Sequence, residues 1–108
     1  MIVIVVKWPV RPDYVDRWPA LVADFTAGTR AEPGNIFFEW SRSLDDPHEF
    51  VLVEAFQDDA GAAHVGSAHF QAAMAWMPDA ISATPKIINV RAEGTDWSQM
   101  AELQPRRA

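Results

Sequence analysis

Two histidines and two glutamates are the residues of this sequence whose types suit proton transfer. His64 and His69 are five positions apart, which on one continuous helix would separate their side chains by about 140°. The His-x-x-x-His spacing that brings two imidazoles onto one helix face for a metal is absent, and Gly66-Ser67 predicts a break between two helices. We therefore expect no metal site, and each histidine needs its own explanation.

Each histidine has a structural and a chemical interpretation. His64, predicted at the end of a short helix, is either stabilised there by the helix dipole or is a neutral base that lines a pocket between helix and sheet. His69 falls in the first turn of the next helix, where the dipole disfavours its charged form, so structural packing is favoured for it. His48 lies in an Asp-Asp-Pro-His turn and is expected to be solvated.

The two glutamates fall on neighbouring predicted strands. If the hairpin turns between Asp46 and Pro47, Glu39 lies opposite Glu54 and both carboxylates share one face. In an apolar pocket, two like charges raise one pKa and create a proton donor or acceptor. A slip of one residue removes this pair, and each glutamate could instead pair with a base such as Lys7, Arg42, Lys86 or Arg91.

Glu54 is the more informative of the two glutamates. It is flanked by Leu52-Val53 and Ala55-Phe56, and a carboxylate in such an apolar run needs a partner. His64, ten residues downstream across the predicted turn from strand to helix, is a plausible one.

Aromatic residues are abundant, with five Trp and six Phe in 108 residues. Those on one strand and on the last helix could wall a cavity for a planar apolar ligand or could form the core, and the core is the default interpretation; they are Phe37, Phe38, Trp40, Phe70, Met74 and Trp76. A Gly-rich phosphate loop, a GxSxG elbow and a dinucleotide fingerprint are absent from the sequence, so it offers no visible nucleotide or flavin site.

The elements that must position these residues follow from periodicity and turn signals. Apolar and β-branched runs predict strands at 2–8, 35–43, 49–56 and 86–91. Apolar residues that recur every three or four positions predict an amphipathic helix over 12–31. Pro19 is expected either to kink this helix or to mark a later start of it. Asp58 or Asp59 is expected to cap a short helix that runs through His64. Ser67 is expected to cap a second helix that runs to about residue 80, and Pro78 is expected to shorten that helix.

The order strand, helix, strand, strand, helix, strand predicts a ferredoxin-like α+β fold, a four-stranded antiparallel sheet with helices on one face. The strands are apolar at successive positions, so both sheet faces need cover. Two helical segments cover one face, and a second copy is expected to cover the other in a symmetric homodimer. The domain spans 2–93, and the tail 94–108, with Trp97, Met100 and Leu103, could lie across the partner.

Composition narrows the function classes. A chain of 108 residues forms one domain. The lack of cysteine excludes disulfides, a thiolate nucleophile, Cys-ligated zinc and Fe–S clusters, and favours the cytoplasm. The apolar run 1–7 is too short for a signal peptide or a membrane span. A net charge of −6 argues against nucleic acid, since Arg106-Arg107 is the only basic cluster.

Three stretches together resemble the antibiotic biosynthesis monooxygenase family, in particular its small quinol monooxygenase-like members. The stretches are 31–39 with the Glu-Pro-Gly turn, 42–56 with the Asp-Asp-Pro hairpin and the strand glutamate, and 63–70 with the pattern His-x-x-Ser-x-His-Phe. The likeness covers about 2–93. It implies a dimeric α+β barrel with a pocket between helices and sheet in each subunit.

The resemblance also implies a chemistry. Family members oxygenate phenols, quinols or anthrone-like compounds with O₂, without metal or flavin, because deprotonation gives an anion that reduces O₂ directly; the protein supplies a base and a dry pocket. By resemblance, His64 is that base or a substrate anchor, and Glu54 is its orienting carboxylate. The implied substrate-binding residues are Phe38, Trp40, His69, Phe70 and Met74.

Departures from the family leave alternatives. In the heme-degrading relatives a histidine on a helix binds the iron, and this sequence has Met74 at the corresponding position. This sequence also has Lys7 on the first strand, where those relatives have an amide side chain. Both departures disfavour heme oxygenation. The fold also hosts small-molecule isomerases, which favour a more polar pocket, and members without activity. A non-catalytic ligand-binding dimer would be favoured if His64 and Glu54 were exposed and unpaired.

Overall fold

The computed structural model describes residues 1–106 and contains one antiparallel sheet of four strands. The strands are β1 (Ile2–Pro9), β2 (Asn35–Arg42), β3 (Glu49–Phe56) and β4 (Lys86–Arg91), in the order β2-β3-β1-β4. This arrangement confirms the ferredoxin-like α+β fold. Of the predicted basic cluster, Arg107 lies outside the described residues. Within residues 1–106 no helix combines the length and the apolar character needed to cross a membrane.

The first helical region is shorter and more broken than the predicted helix over 12–31. A 3₁₀ turn at Pro12–Tyr14 precedes α1 (Trp18–Leu21), and α2 (Ala23–Arg30) follows after Val22. Pro19 lies in the first turn of α1, where its missing N–H would have had no partner in the helix. Pro19 therefore marks a later helix start, one of the two outcomes that the sequence predicts.

The second helical region consists of α3 (Gly61–Val65) and α4 (Ala68–Ala80). The Ser67 hydroxyl accepts a hydrogen bond from the Phe70 N–H at 3.2 Å, which confirms Ser67 as the cap of α4. The predicted aspartate cap of α3 is wrong, because Ala60 occupies that position. Asp58 instead contacts the N-terminal amine and Arg91.

Pro78 does not shorten α4, which continues for two residues beyond it. So close to the helix end, a proline removes only the bond that its own N–H would have made to the carbonyl of residue 74.

The register of the β2–β3 hairpin differs by one residue from the predicted one. Glu54 lies opposite Phe38, and Glu39 lies opposite Val53. The Ser43 hydroxyl accepts from the N–H groups of both Asp45 and Asp46, which shapes the turn. The predicted Glu39–Glu54 pair is therefore wrong. Glu39 is exposed on one sheet face, and Glu54 is buried on the other.

We call the sheet face that carries Glu54 the inner face, and the helices pack against it. Trp18 of α1 is almost fully buried and lies 5.6–5.8 Å, between ring centroids, from Trp8, Trp40 and Trp76. Phe25 of α2 packs edge-on against Phe38 at 5.3 Å. Four of the five tryptophans thus form one aromatic cluster, which accounts for most of the tryptophan content.

The opposite, outer face carries apolar side chains from all four strands. Val5 pairs with Val53 on one side and with Ile88 on the other. Ile88 is 65% and Val90 is 55% exposed, while the helices contact the inner face. In the tail, the Trp97 ring stacks on Phe37 at 4.8 Å and extends this apolar surface.

Candidate functional site

A cavity of about 290 Å³ lies between the inner face of the sheet and helices α3 and α4. Val65, Met74 and Ile87 are exposed and mark its mouth. The two side chains that bring ionisable groups to it are Glu54 and His64. The remaining lining side chains are apolar or aromatic, namely Ile4, Val6, Trp8, Phe25, Leu52, Phe70 and Pro85.

Aromatic rings hold His64 in place at the last turn of α3. His64 is buried, and its imidazole lies 4.7 Å from Phe56 and 5.1 Å from Phe70, between ring centroids. Phe25 stacks on it from α2 at 5.9 Å. A ring enclosed on these sides has little rotational freedom, so its two nitrogens face fixed directions.

Glu32 holds one nitrogen of His64. It lies in the turn between α2 and β2, and its Oε2 atom is 2.8 Å from Nδ1 of His64. This turn reaches α3 because Gly34 packs against Ala60, where a Cβ on residue 34 would lie 2.3 Å from the alanine methyl. The carbonyl of Gly34 also accepts from the N–H of Gln57 at 2.8 Å.

This contact determines which nitrogen of His64 can act as a base. A carboxylate only accepts hydrogen bonds, so Nδ1 carries the proton. In the neutral ring Nε2 then keeps its lone pair. Nε2 lies 3.9 Å from Oε1 of Glu54, on the cavity side. The arrangement resembles the carboxylate–histidine pair of hydrolases, in which a buried acid fixes the tautomer of the base.

His69 contacts the same carboxylate oxygen. Its Nε2 atom lies 2.5 Å from Oε2 of Glu32. The His69 ring packs closely on Gly28, where a Cβ atom would lie only 2.6 Å from the ring. The expectation that the two histidines are unrelated is therefore wrong, because Glu32 joins two separate helices. The three potential ligand atoms of Glu32, His64 and His69 lie within 4.8 Å of one another and could hold a metal ion.

Glu54 is buried on β3, at 5% exposure. Burial, followed by the nearby charge of Glu32, raises the pKa of Glu54 from 4.5 to about 7. His64 is near it, as the sequence predicts, but the separation of 3.9 Å is too long for a hydrogen bond. Glu32 therefore occupies the orienting position predicted for Glu54, and Glu54 faces the cavity as a carboxyl group that changes charge near neutral pH.

Replacing Glu54 with glutamine is expected to stabilise the protein at pH 8. Because the pKa rises on folding, the folded state binds this proton more tightly than the unfolded chain, and stability falls as pH rises from 4.5 to 7. Once Glu54 is ionised, the free energy of unfolding of the wild-type protein is lower by about 3 kcal/mol. Urea unfolding at pH 8 should show E54Q more stable than wild type by about this amount, with the gain almost lost at pH 4.

Asp45→Asn is the matched control, because Asp45 is exposed in the hairpin turn, and it should leave the free energy of unfolding within about 0.5 kcal/mol of wild type at both pH values. An E54Q variant that is no more stable than wild type at pH 8 would contradict this account of Glu54.

The predicted substrate-binding residues fall in four places. Phe70 and Met74 line the cavity. Phe38 is 1% exposed and belongs to the core, and His69 lies behind Glu32, away from the lining. Trp40 lines a different cavity of about 340 Å³, beside Arg30 and α2, and donates to the Thr26 hydroxyl at 2.9 Å. Phe38 and Trp40 miss the first cavity because α1 and α2 cover strand β2.

Two residues near the site were missed by sequence reasoning. The sequence places Glu32 only in the Glu-Pro-Gly turn after the first helix and predicts no contact between it and a histidine. Trp8 was assigned to a strand alone. It lines the cavity, and its indole N–H is buried without a hydrogen-bond partner among the described residues.

Comparison with known families gives one match. The family model described as "Antibiotic biosynthesis monooxygenase" matches residues 1–76. The matched segment contains both Glu32 and Glu54, as well as His64 and His69. None of the curated proteins matches the sequence.

Solved structures share the fold. A protein from Nitrosomonas europaea, provisionally described as an antibiotic biosynthesis monooxygenase, is 27% identical, with 87% of this chain and all of that chain covered and a TM-score of 0.80. One from Caulobacter crescentus with the same provisional description is 25% identical, with 86% and 90% covered and a TM-score of 0.80. A conserved protein from Methanosarcina mazei is 22% identical, with 85% of this chain and 92% of that chain covered and a TM-score of 0.79. This likeness shows the fold alone.

Proposed function

Because the chain belongs to the antibiotic biosynthesis monooxygenase family, we propose that it is a cofactor-independent monooxygenase that oxidises a quinol, phenol or anthrone-like aromatic substrate with O₂. One observation carries the proposal. A buried imidazole, His64, is fixed through Nδ1 by Glu32 at 2.8 Å, and its Nε2 is directed towards an apolar cavity.

In the first step, Nε2 of His64 takes a proton from the bound substrate. A flat aromatic molecule gains from contact with Trp8, Phe70 and Met74, because these walls exclude water. Glu32 stabilises the imidazolium that forms, as the carboxylate does in a hydrolase triad. The product of this step is an electron-rich substrate anion.

In the second step, the anion transfers an electron to O₂, and the resulting radical and superoxide combine into a peroxide. The peroxide takes the proton from His64 and loses water, so that the O–O and C–H bonds break and a C=O bond forms. The balance is one substrate and one O₂ to one oxygenated product and one water. His64 returns to its starting form, and no external reductant is needed.

Neutral Glu54 suits this scheme. With its pKa raised to about 7, the protonated carboxyl group can donate a hydrogen bond to a peroxide or phenolate oxygen in the cavity. In its ionised form it would repel the substrate anion. The proposed roles are therefore His64 as base, Glu32 as its positioning residue and Glu54 as a hydrogen-bond donor.

The alternatives receive less support. A non-catalytic binding dimer was tied to exposed, unpaired His64 and Glu54, and both side chains are buried, with His64 bonded to Glu32. An isomerase of a polar small molecule would require a more polar cavity than the apolar lining described above.

An oxygen electrode tests the proposal on the full chain, with a panel of quinols, phenols and anthrones in the presence of a chelator. Protein-dependent O₂ uptake that survives chelation is the expected result. If uptake never exceeds the rate of spontaneous oxidation for any member of the panel, the proposed activity is wrong.

We also propose that the working unit is a homodimer formed through the outer face. Support comes from the exposed apolar side chains of β4, Ile88 and Val90, which adjoin the valines of β1 and β3. Contiguous exposed apolar surface of this kind is characteristic of interfaces. Trp97 widens the same surface through its contact with Phe37, so the tail would lie near the partner.

A cytoplasmic location is part of the proposal, since the chain has no cysteine that needs oxidation.

Replacing Ile88 with lysine is expected to disrupt this dimer. Ile88 lies on an edge strand and is largely exposed in the single chain, so the fold should tolerate the change. Two buried, unpaired ammonium groups per dimer cost at least about 3 kcal/mol, which raises the dimer dissociation constant by about 100-fold or more. Light scattering or sedimentation at micromolar concentration measures the change.

Leu44→Lys is the matched control, because Leu44 is fully exposed in the hairpin turn, and this variant should remain dimeric. Wild-type protein that is monomeric at micromolar concentration would overturn the dimer proposal.

A further inference from the structure

Glu32, His64 and His69 form a cluster behind the cavity, which we call the Glu–His–His cluster. One carboxylate oxygen contacts both imidazoles, at 2.8 and 2.5 Å. The side chains of Glu32 and His64 are 12% and 8% exposed, and that of His69 is 23% exposed. The cluster is therefore sheltered by protein, with its one partly open side at His69.

The donor set matches a particular class of ion. Two imidazole nitrogens and one carboxylate oxygen suit Zn²⁺ and its first-row neighbours, whereas Mg²⁺ and Ca²⁺ prefer oxygen ligands alone. Such ions lie about 2.0–2.2 Å from each ligand, which places tetrahedral ligand atoms about 3.4 Å apart. The two contacts to Glu32 need to open by less than about 1 Å to reach this spacing. Solvent on the His69 side can supply a fourth ligand.

The surroundings of the cluster also fit a metal site. The rings of Phe25, Phe56 and Phe70 enclose the His64 imidazole and hold its orientation, as the surroundings of a metal ligand commonly do. The missing side chain at Gly28 leaves the space that the His69 ring fills. Ligand orientation is thus fixed from two independent sides.

We infer that the Glu–His–His cluster binds one divalent transition ion per chain, and that the bound ion inhibits the protein. An ion on Nδ1 of His64 takes the lone pair of that nitrogen, so the ring proton must sit on Nε2. Nε2 can then no longer accept a proton from a substrate. The inhibition rests on the proposed function, whereas the binding of the ion does not.

Titration calorimetry of the chelator-treated, desalted full chain with Zn²⁺, and visible absorption with Co²⁺, test the binding. We expect one ion per chain with a micromolar dissociation constant and no comparable heat with Mg²⁺. His69→Gln should weaken binding by at least about 10-fold, whereas His48→Gln, at an exposed turn histidine, should not. Equal Zn²⁺ affinity in His69→Gln and wild type, or no binding by wild type, would overturn the inference.

A pair of glycine variants tests the geometry without removing a ligand. Gly28→Ala places a methyl group against the His69 ring, while Gly61→Ala on α3 meets no atom within 4 Å. We expect weaker Zn²⁺ binding in Gly28→Ala and wild-type binding in Gly61→Ala. Circular dichroism monitors the fold of both variants. Unchanged affinity in a folded Gly28→Ala protein would contradict the placement of His69 as a ligand.

Nitrogen-15 spectra of the histidine rings separate this inference from the proposed activity. Without an ion His64 should carry its proton on Nδ1, and with Zn²⁺ on Nε2. If the tautomer changes but no substrate is oxidised, the metal site stands and the proposed function fails. If oxidation occurs and is insensitive to saturating Zn²⁺, the inhibitory role is wrong.

Discussion

Replacing His64 with alanine is expected to lower kcat/KM for quinol oxidation by about 10²–10⁴-fold, the usual contribution of a general base. Nε2 of His64 is the basic atom directed towards the apolar cavity, since Glu32 occupies Nδ1. Steady-state O₂ uptake measures the effect. The space left by the ring should also admit free imidazole, so added imidazole is expected to restore part of the rate.

His48→Ala is the matched control for this experiment, because His48 is exposed in the hairpin turn and its loss should leave the rate unchanged. Folding of His64→Ala is checked by circular dichroism before any rate is interpreted. A folded His64→Ala protein that oxidises the same substrate at the wild-type rate would show that the base has been assigned wrongly.

Replacing Glu32 with glutamine is expected to lower kcat by about 10²–10⁴-fold, because it removes the group that fixes the His64 tautomer. In serine proteases the corresponding change of the triad aspartate to asparagine costs about 10⁴-fold while the geometry is retained. A glutamine amide can donate to Nδ1, which moves the ring proton to Nε2 and leaves no base on the cavity side. The change is nearly isosteric, so KM should change less than kcat.

Two further variants make the Glu32 result specific. Glu32→Asp retains an acceptor and should recover part of the lost kcat, whereas Asp45→Asn, in the exposed hairpin turn, should have no effect. Ring nitrogen spectra provide a readout besides activity, since the proton of His64 should leave Nδ1 in Glu32→Gln. A variant that keeps both the Nδ1 proton and the wild-type kcat would remove Glu32 from the mechanism.

The parts of the fold that depend on local signals could be predicted from the sequence. Apolar β-branched runs gave the four strands, and Ser67 marked the start of α4, because a hydroxyl cap acts within a few residues. The break of the first helix at Val22 was missed, since its spacing of apolar residues is helical on both sides of the break. The hairpin register was missed by one residue, because the turn hydrogen bonds around Ser43 set it.

The candidate site was predictable only in part. His64 and Glu54 stand out because ionisable side chains in apolar sequence need a reason to be there. Glu32 could not be assigned in the same way, because its contact with His64 spans 32 residues and depends on the close packing of Gly34 on Ala60. Trp40 was predicted to line the same cavity as Phe70 and Met74, but it lines a different one. The sequence of a strand does not reveal which helix covers it, so this difference could not be predicted.

Glu54 argues that the site serves a function rather than packing alone. A buried carboxyl group with a pKa of about 7 lowers stability at neutral pH, and a glutamine of the same size would avoid that cost. Residues that destabilise a fold in this way are concentrated at functional sites. The charge of Glu32 contributes to the same pKa shift, so the orienting carboxylate and the cavity carboxyl group act on one another.

Oxidation under ¹⁸O₂ is the most direct test of the central claim, that His64 drives monooxygenation without a cofactor. Wild-type protein with a chelator present should place one labelled oxygen atom in each product molecule and consume one O₂ per substrate, and His64→Ala should do neither above background. Unlabelled product with release of hydrogen peroxide, or labelling that is unchanged in His64→Ala, would contradict the account.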